Sequence, residues 1–221
     1  MSEFGYAADS MGVRVGLAPW RETGHEEGHF TVRRWDAEQT DWASRKLGGE
    51  GTGRRGFVPV NDVVFRSLKI DPYSVTTSLP HEHNLITTGG WDRVLSLAAG
   101  LGGATFGSAT CRIWVGTGTA AASSGDVNLS AATSGGTARF CNLVTGNGAT
   151  SPGTAVRRLS FTATFATGDA NFVWAEWAID NGGTGSGTGA VTTPLLCHAI
   201  SAQGTKVSGQ TWTATANLDF T

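Results

Sequence analysis

The sequence predicts a mainly β protein, in which an antiparallel β-sandwich or jelly-roll-like domain is preceded by a short helix. Three observations carry this prediction. Only 15% of the 221 residues are charged, while 32 are Gly, which is typical of short strands joined by tight turns. Several segments alternate apolar and polar residues with a period of two. The gaps between these segments are too short for helical crossovers, so we expect antiparallel strands.

The composition changes near residue 83. Residues 1–83 contain most of the charged residues and four of the five His, whereas residues 84–221 contain most of the Gly. The sequence therefore predicts an irregular N-terminal extension over 1–83, which is either an attachment arm or a small subdomain. It is followed by one β-sandwich domain over 84–221.

Two helices are predicted. Asp36 can cap the first, which runs to Leu47. The second begins after a cap at Thr87 or Thr88 and ends at Gly100. It carries one apolar stripe whose members are spaced by three and four residues: Trp91, Val94, Leu95 and Ala98.

Strand character extends over 58–70 in the N-terminal region and over further segments of the β-domain. Residues 172–179 are apolar on both faces apart from Glu176, which predicts a central strand. Residues 182–189 are rich in Gly and are expected to form a flexible connection. The other predicted strands are 111–115, 138–144, 159–165, 194–200 and 212–220.

Charge and hydropathy exclude several classes of protein. The net charge of −2 lacks the basic footprint of a nucleic-acid-binding protein. No apolar run reaches the roughly 18 residues that a membrane helix needs, and the N-terminus has no signal-peptide pattern. We therefore expect neither nucleic acid nor membrane as a partner. Cys111, Cys141 and Cys197 are odd in number and far apart, so they are expected to be buried thiols.

Aromatic residues are spread through the polar N-terminal region. Such spacing is typical of anchors that become buried on a neighbouring protein. The alternative is that these residues pack on the β-domain of the same chain. The candidates for an assembly interface are Phe4, Trp20, Phe30, Trp35 and Trp42.

Two motifs suggest chemistry but lack the context that it needs. His25 and His29 fit H-E-x-x-H, in which a helix places two His on one zinc ion. Gly24 and Gly28 disfavour a helix, so we expect a solvated loop and no metal. Residues 51–56 fit G-x-G-x-x-G but lead into an extended segment, where a dinucleotide site would require a helix.

Trp174, Glu176 and Trp177 place a carboxylate between two indoles, a combination typical of glycan contacts. Successive side chains of a strand alternate between its two faces. Because Trp174 and Trp177 are three residues apart, we expect them to face opposite sides of their strand. One would lie in the core, and Glu176 would be paired with an arginine or exposed. The neighbours Cys197 and His198 also point to opposite faces, so they cannot form a catalytic pair.

Four segments of the β-domain carry a resemblance in their order along the chain. They are 84–95 (NLITTGGWDRVL), 112–118 (RIWVGTG), 170–180 (ANFVWAEWAID) and 204–213 (GTKVSGQTWT). Together they resemble a β-domain of virion structural proteins of tailed bacteriophages, commonly labelled minor tail or tail-fibre proteins. This chain has Leu196, Cys197 and His198 where similar proteins often have Leu-Asn-Arg.

The resemblance implies a structural virion part that is present in several copies, and it brings no catalytic residue and no cofactor. We therefore expect a non-enzymatic tail- or fibre-associated component, anchored through 1–83 to other virion proteins and forming a homo-oligomer. It would assemble in the host cytoplasm and reside in the virion. One alternative is a capsid decoration protein on the head. Another is a receptor- or glycan-binding module that contacts a host surface glycan through Trp174, Glu176 and Trp177.

Overall fold

A computed structural model describes residues 28–48, 60–77, 84–108, 110–132, 138–150, 157–189, 191 and 193–220. The first half of the chain contributes β1 (Gly28–Trp35), α1 (Ala37–Gly48), α2 (Asp62–Ser67), β2 (Ser74–Thr77), β3 (Asn84–Ile86) and α3 (Thr88–Ala98). The second half contributes β4 (Cys111–Gly116), β5 (Arg139–Leu143), β6 (Gly146–Thr150), β7 (Arg157–Phe165), β8 (Val173–Asn181), β9 (Leu195–Thr205) and β10 (Thr211–Phe220).

These strands form two five-stranded sheets. Sheet A has the order β2-β1-β10-β7-β6, and sheet B has the order β3-β9-β8-β4-β5. Every pairing is antiparallel. The inner faces of both sheets contribute to one hydrophobic core, which is the arrangement of a sandwich. The predicted mainly β, antiparallel fold is confirmed.

Strand β10 shows how the period of two builds the sandwich. It lies at the centre of sheet A. The hydroxyls of Thr213 and Thr215 point to the outer face, where they lie 3.2 and 3.1 Å from those of Thr164 and Thr162 on β7. The inner side chains are buried in the core: Trp212, Ala214, Ala216 and Leu218.

Aromatic side chains join the two sheets across the core. Phe30 of β1 stacks on Trp177 of β8, with ring centroids 4.6 Å apart. Trp174 of β8 meets Phe165 and Trp212 edge to face, at 4.7 and 4.8 Å. These are favourable aromatic geometries. Strand β8 lies in the middle of sheet B, which confirms the predicted central strand.

The expectation that Trp174 and Trp177 face opposite sides of β8 is wrong. Both indoles are buried in the same core. The pairing of β8 with β9 is irregular between Trp174, which lies opposite Gly204, and Glu176, which lies opposite Ile200. Such an irregularity turns the strand and breaks the strict alternation of its side chains.

The position of β1 shows that the N-terminal region is not an irregular extension throughout, as the sequence predicted. It pairs with β10 over its whole length and with β2 on its other side, so residues 28–35 lie inside the sandwich. The sheet therefore crosses the predicted division between residues 83 and 84. Phe30 and Val32 alternate with Thr31 and Arg33, but the period of two is hard to see among the charged residues.

Helices α1 and α2 cover the outer face of sheet A at Trp35. The prediction of α1 is confirmed, and Asp36 caps it by accepting a bond from the Gln39 N–H at 2.8 Å. The strand expected over 58–70 is wrong for the described residues 60–70, because the Asn61 side chain caps α2 there. Phe65 of α2 stacks on Trp35, with ring centroids 4.4 Å apart.

Helix α3 is confirmed, but its predicted apolar stripe is not its buried side. Thr87 caps the helix by accepting a bond from the Gly90 N–H at 3.0 Å. The helix contacts β9 through Gly90, where a Cβ atom would collide with the backbone of Leu196. Val94 packs against the core, while Trp91 and Leu95 are exposed. None of the described helices is long and apolar enough to span a membrane.

The position of Phe30 gives a first prediction. Phe30→Ala removes an aromatic ring between the two sheets and should lower the free energy of unfolding by about 3–5 kcal/mol, measured by urea denaturation. The control is Val63→Ala on α2. Because Val63 is 71% exposed, its replacement should change stability by about 0.5 kcal/mol or less. An unchanged stability for Phe30→Ala would mean that residues 28–35 are a detachable arm.

Candidate functional site

The outer face of sheet B carries charged side chains that are buried. Neighbouring strands place these residues side by side: Gly116 of β4 lies opposite Glu176 of β8, and Arg112 lies opposite Asp180. On β9, His198 lies opposite Ala178. Ala178 is two residues from Glu176 on β8, so His198 lies on the same face as Glu176. Residues 117–132, which follow β4, supply bonding partners for this face. A buried charge needs such partners.

Glu176 is fully buried and accepts hydrogen bonds from five donors. Its Oε1 accepts from the backbone N–H groups of Gly118 at 3.1 Å and Ala131 at 2.8 Å. Its Oε2 accepts from the N–H and the hydroxyl of Ser130, at 2.8 and 2.7 Å. The fifth donor is Nε2 of His198 at 3.0 Å. The carboxylate thereby fastens both ends of residues 117–132 to the sheet.

His198 lies between two carboxylates. Its Nε2 contacts Glu176, and its Nδ1 is 2.6 Å from Oδ2 of Asp126. Both ring nitrogens can donate only when the imidazole is protonated. Asp126 also accepts a bond from the Ser123 N–H at 2.8 Å, so it fastens the middle of residues 117–132. We call Glu176, His198, Asp126 and Ser130 the carboxylate network.

Burial and hydrogen bonding shift the pKa values of Glu176 and His198 in opposite directions. Burial alone disfavours the charged form of Glu176, but bonds from His198, Ser130 and Ala131 outweigh it and lower the pKa of Glu176. Burial also disfavours the charged imidazole, but bonds to Glu176 and Asp126 outweigh it and raise the pKa of His198. The network therefore favours a protonated imidazole between the two carboxylates.

The geometry of the network differs from that of a nucleophile with its base. A nucleophilic serine donates its proton to a histidine, whereas the Ser130 hydroxyl donates to the Glu176 carboxylate. His198 has both nitrogens occupied by carboxylates. What this arrangement can do is hold loop residues in place.

A second buried ion pair lies beside the network. Nε of Arg112 is 3.0 Å from Oδ1 of Asp180, and the guanidinium lies over the ring of Trp114. Thr193 donates to Asp180 at 3.0 Å, and Arg112 donates to the carbonyl of Gly185 at 3.4 Å. The hydrogen bond to Asp180 raises the pKa of Arg112 against the effect of burial. This pair fastens the Gly-rich connection between β8 and β9.

The three glycan candidates do not reach the surface. Trp174, Glu176 and Trp177 are all almost completely buried, so a sugar cannot contact them. The irregularity in β8 turns both indoles into the core, and the donors of residues 117–132 occupy the carboxylate. The prediction of a glycan site at these residues is therefore wrong.

The five aromatic anchors have different positions. Phe30 and Trp35 are buried within the chain itself and are not free to dock on another protein. Trp42 of α1 is 46% exposed and remains a candidate contact. Phe4 and Trp20 lie outside the described residues.

The motif candidates for metal and nucleotide binding also lie outside the described part of the chain: His25, the side chain of His29 and residues 51–56. Within the described ranges, no three His, Cys, Asp or Glu side chains are grouped as a metal site. The three cysteines are buried thiols, as predicted. Burial raises the pKa of Cys111 and of Cys141 to about 11, which keeps these thiols protonated.

The sequence contained a signal for this network that the predictions did not use. Glu176 and His198 each stand in an otherwise apolar run, 172–179 and 194–200, and a buried charged group requires a partner. Their pairing with each other could have been inferred from that. Asp126 and Ser130 come from an irregular segment, whose path no periodicity indicates.

Comparison with protein-family models, with curated proteins and with solved structures finds no match for this chain.

The raised pKa of His198 predicts stability that declines as the pH rises. The folded protein holds the imidazole proton more tightly than the unfolded chain. Its contribution is therefore complete below about pH 6.5 and is lost as the pH rises through the folded pKa. We expect the free energy of unfolding of the wild type, relative to that of His198→Gln, to fall as the pH rises above about 6.5.

The comparison of the two proteins removes the contributions of groups that do not contact His198. The other His residues are common to both, and so is Lys206, whose pKa burial lowers to about 8. Their contributions cancel in the difference. The measurement is urea denaturation at several pH values. A difference in stability that does not change with pH would contradict a charged imidazole in the folded protein.

Proposed function

We propose that this protein is a non-enzymatic structural component of a tailed-bacteriophage particle, associated with the tail or a fibre, and that it self-associates through α3. The resemblance of residues 84–221 to virion β-domains motivates the class of protein. The observation that carries the proposal is a row of exposed apolar side chains on α3 and just after it. We call this row the α3 stripe: Trp91, Leu95, Ala98 and Leu101.

The α3 stripe has the features of an assembly surface. Trp91 and Leu95 lie one helical turn apart, and Leu95 and Leu101 are 61% and 78% exposed. Contiguous exposed apolar residues are typical of interaction sites. The helix is fixed to β9 by the close approach at Gly90 and by Val94 in the core. The stripe is therefore presented on a rigid support.

The buried charges of the outer face of sheet B also favour a structural role. Glu176, His198, Arg112 and Asp180 are bonded to strands and loops of the same chain. Groups used in this way hold loops in position, and a structural part depends on such fixed surfaces.

The expected occupant of the α3 stripe is a second copy of the chain. In an antiparallel, two-fold arrangement, the large Trp91 of one copy meets the small Ala98 of the other. The charged residues of α3, Asp92 and Arg93, lie at the middle of the helix. With Trp91 opposite Ala98, they come level with Leu97 and Ser96 of the second helix, so no like charges meet.

The experiment combines self-association with a measurement of copy number. We expect Leu95→Asp to convert a dimer into a monomer of 22.9 kDa in light scattering. We also expect it to lower, at least several-fold, the amount of this protein in purified particles, measured by mass spectrometry against the major capsid protein. Because Leu95 is largely exposed, the fold should be retained. The matched control is Val63→Asp, an equally apolar and exposed position on α2.

Each outcome tests a different part of the proposal. A small copy number relative to the capsid protein supports a place on the tail or fibre. A copy number near that of the capsid protein would instead support a decoration protein on the head. Absence from particles would reject the virion role. A wild-type monomer would reject the second copy as the occupant of the α3 stripe.

A further inference from the structure

An open cleft lies where three segments of the chain meet. The start of β5, the turn between β7 and β8 and the connection from β8 to β9 enclose a volume of about 590 Å³. This volume is in the range of small-molecule sites and can hold one or two sugar rings. Its lining includes Arg139, Phe140, Asn171 and Phe172.

The turn between β7 and β8 is held rigidly on one side of the cleft. Lys206 is fully buried and donates from Nζ to the Ala166 carbonyl at 2.7 Å and to Oδ1 of Asn171 at 2.9 Å. The carbonyl of Ala170 accepts a bond from Nε1 of Trp174 at 3.0 Å. A rigid wall reduces the entropy that is lost when a ligand binds.

Ala170 within this turn has an unusual backbone conformation. Its φ of 50° lies in the left-handed region, which residues other than Gly rarely adopt. Strain of this kind costs on the order of 1 kcal/mol and is concentrated at ligand sites and active sites. Ala170 also lines the cleft, so the strained residue and the cavity coincide.

The aromatic side chains provide flat apolar surfaces in the cleft. Phe140 and Phe172 are partly exposed there. The ring of Phe140 is held edge to face against Phe165, with centroids 6.4 Å apart. The C–H face of a pyranose ring packs on such surfaces, while its hydroxyls can bond to backbone groups on the rim.

Arg139 is the one charged side chain among the described residues that line the cleft. Its Nε donates to the carbonyl of Gly189, which fixes the guanidinium. The two terminal nitrogens have no hydrogen-bond partner within the described part of the chain. A planar guanidinium held in this way is suited to binding a carboxylate through two parallel bonds.

We propose that this cleft binds an acidic sugar, with the carboxylate on Arg139 and the pyranose ring against Phe172. The combination of one fixed guanidinium with partly exposed aromatic rings distinguishes this ligand from a neutral sugar and from a simple anion. The proposal does not rest on the role in a phage particle, because it concerns binding to the purified chain.

The test is a ligand titration of the full chain, with binding monitored by NMR. The probes are glucuronate and N-acetylneuraminate, two carboxylated pyranoses, and glucose, the neutral counterpart of glucuronate. We expect saturable binding of at least one acidic probe and binding of glucose that is roughly tenfold weaker or more, the cost of losing a charge-assisted contact. Which acidic probe binds more tightly identifies the type of acidic sugar.

Two variants test whether the acidic probe binds to Arg139. Arg139→Ala should weaken binding of the acidic probe by roughly tenfold or more, and Arg139→Lys, which keeps the charge but not the planar fork, should also weaken it. Arg45→Ala on α1 removes the same charge from an exposed position and should bind as the wild type does. Absence of binding by both acidic probes, equal binding of glucose, or unchanged binding by Arg139→Ala would each overturn the proposal.

Discussion

The carboxylate of Glu176 is the constraint on which the outer face of sheet B depends. A charged group in a buried strand is tolerated only when its hydrogen-bonding capacity is filled. The donors come from residues 117–132 and from His198, so satisfying the carboxylate fixes that segment across the sheet. The Thr88 N–H bonds to the carbonyl of Ser124 at 2.7 Å. The constraint thereby reaches the start of α3 and the position of the α3 stripe.

Buried polar side chains support both surfaces to which we assign a role. Glu176 holds the segment that contacts α3, and Lys206 holds the turn that forms one wall of the cleft. In each case a charged group in the interior bonds to backbone atoms of an irregular segment. Such groups contribute less to net stability than apolar residues of the same size, but they specify one conformation of a loop. We infer that the charges inside this sandwich position its surfaces.

The sequence predicts the parts of the fold that depend on local patterns. Alternation identified β7 and β10, and capping residues identified α1 and α3, because these signals lie within one segment. It did not identify α2, where the cap at Asn61 outweighs the strand preference of two valines, or the place of Phe30 in the core. The contact of His198 with Asp126 joins residues far apart in the chain. It depends on the path of a loop, which has no periodicity to indicate it.

Hydrogen exchange at the amides that donate to Glu176 tests this account most directly. The amides are those of Gly118, Ser130 and Ala131, and the comparison is between the wild type and Glu176→Gln. If the carboxylate holds residues 117–132, these amides are protected in the wild type. In the variant they exchange at least roughly tenfold faster, while the amides of β7 and β10 keep their protection. Equal exchange at the three amides in both proteins would show that another interaction fixes the segment, and would contradict the central role of Glu176.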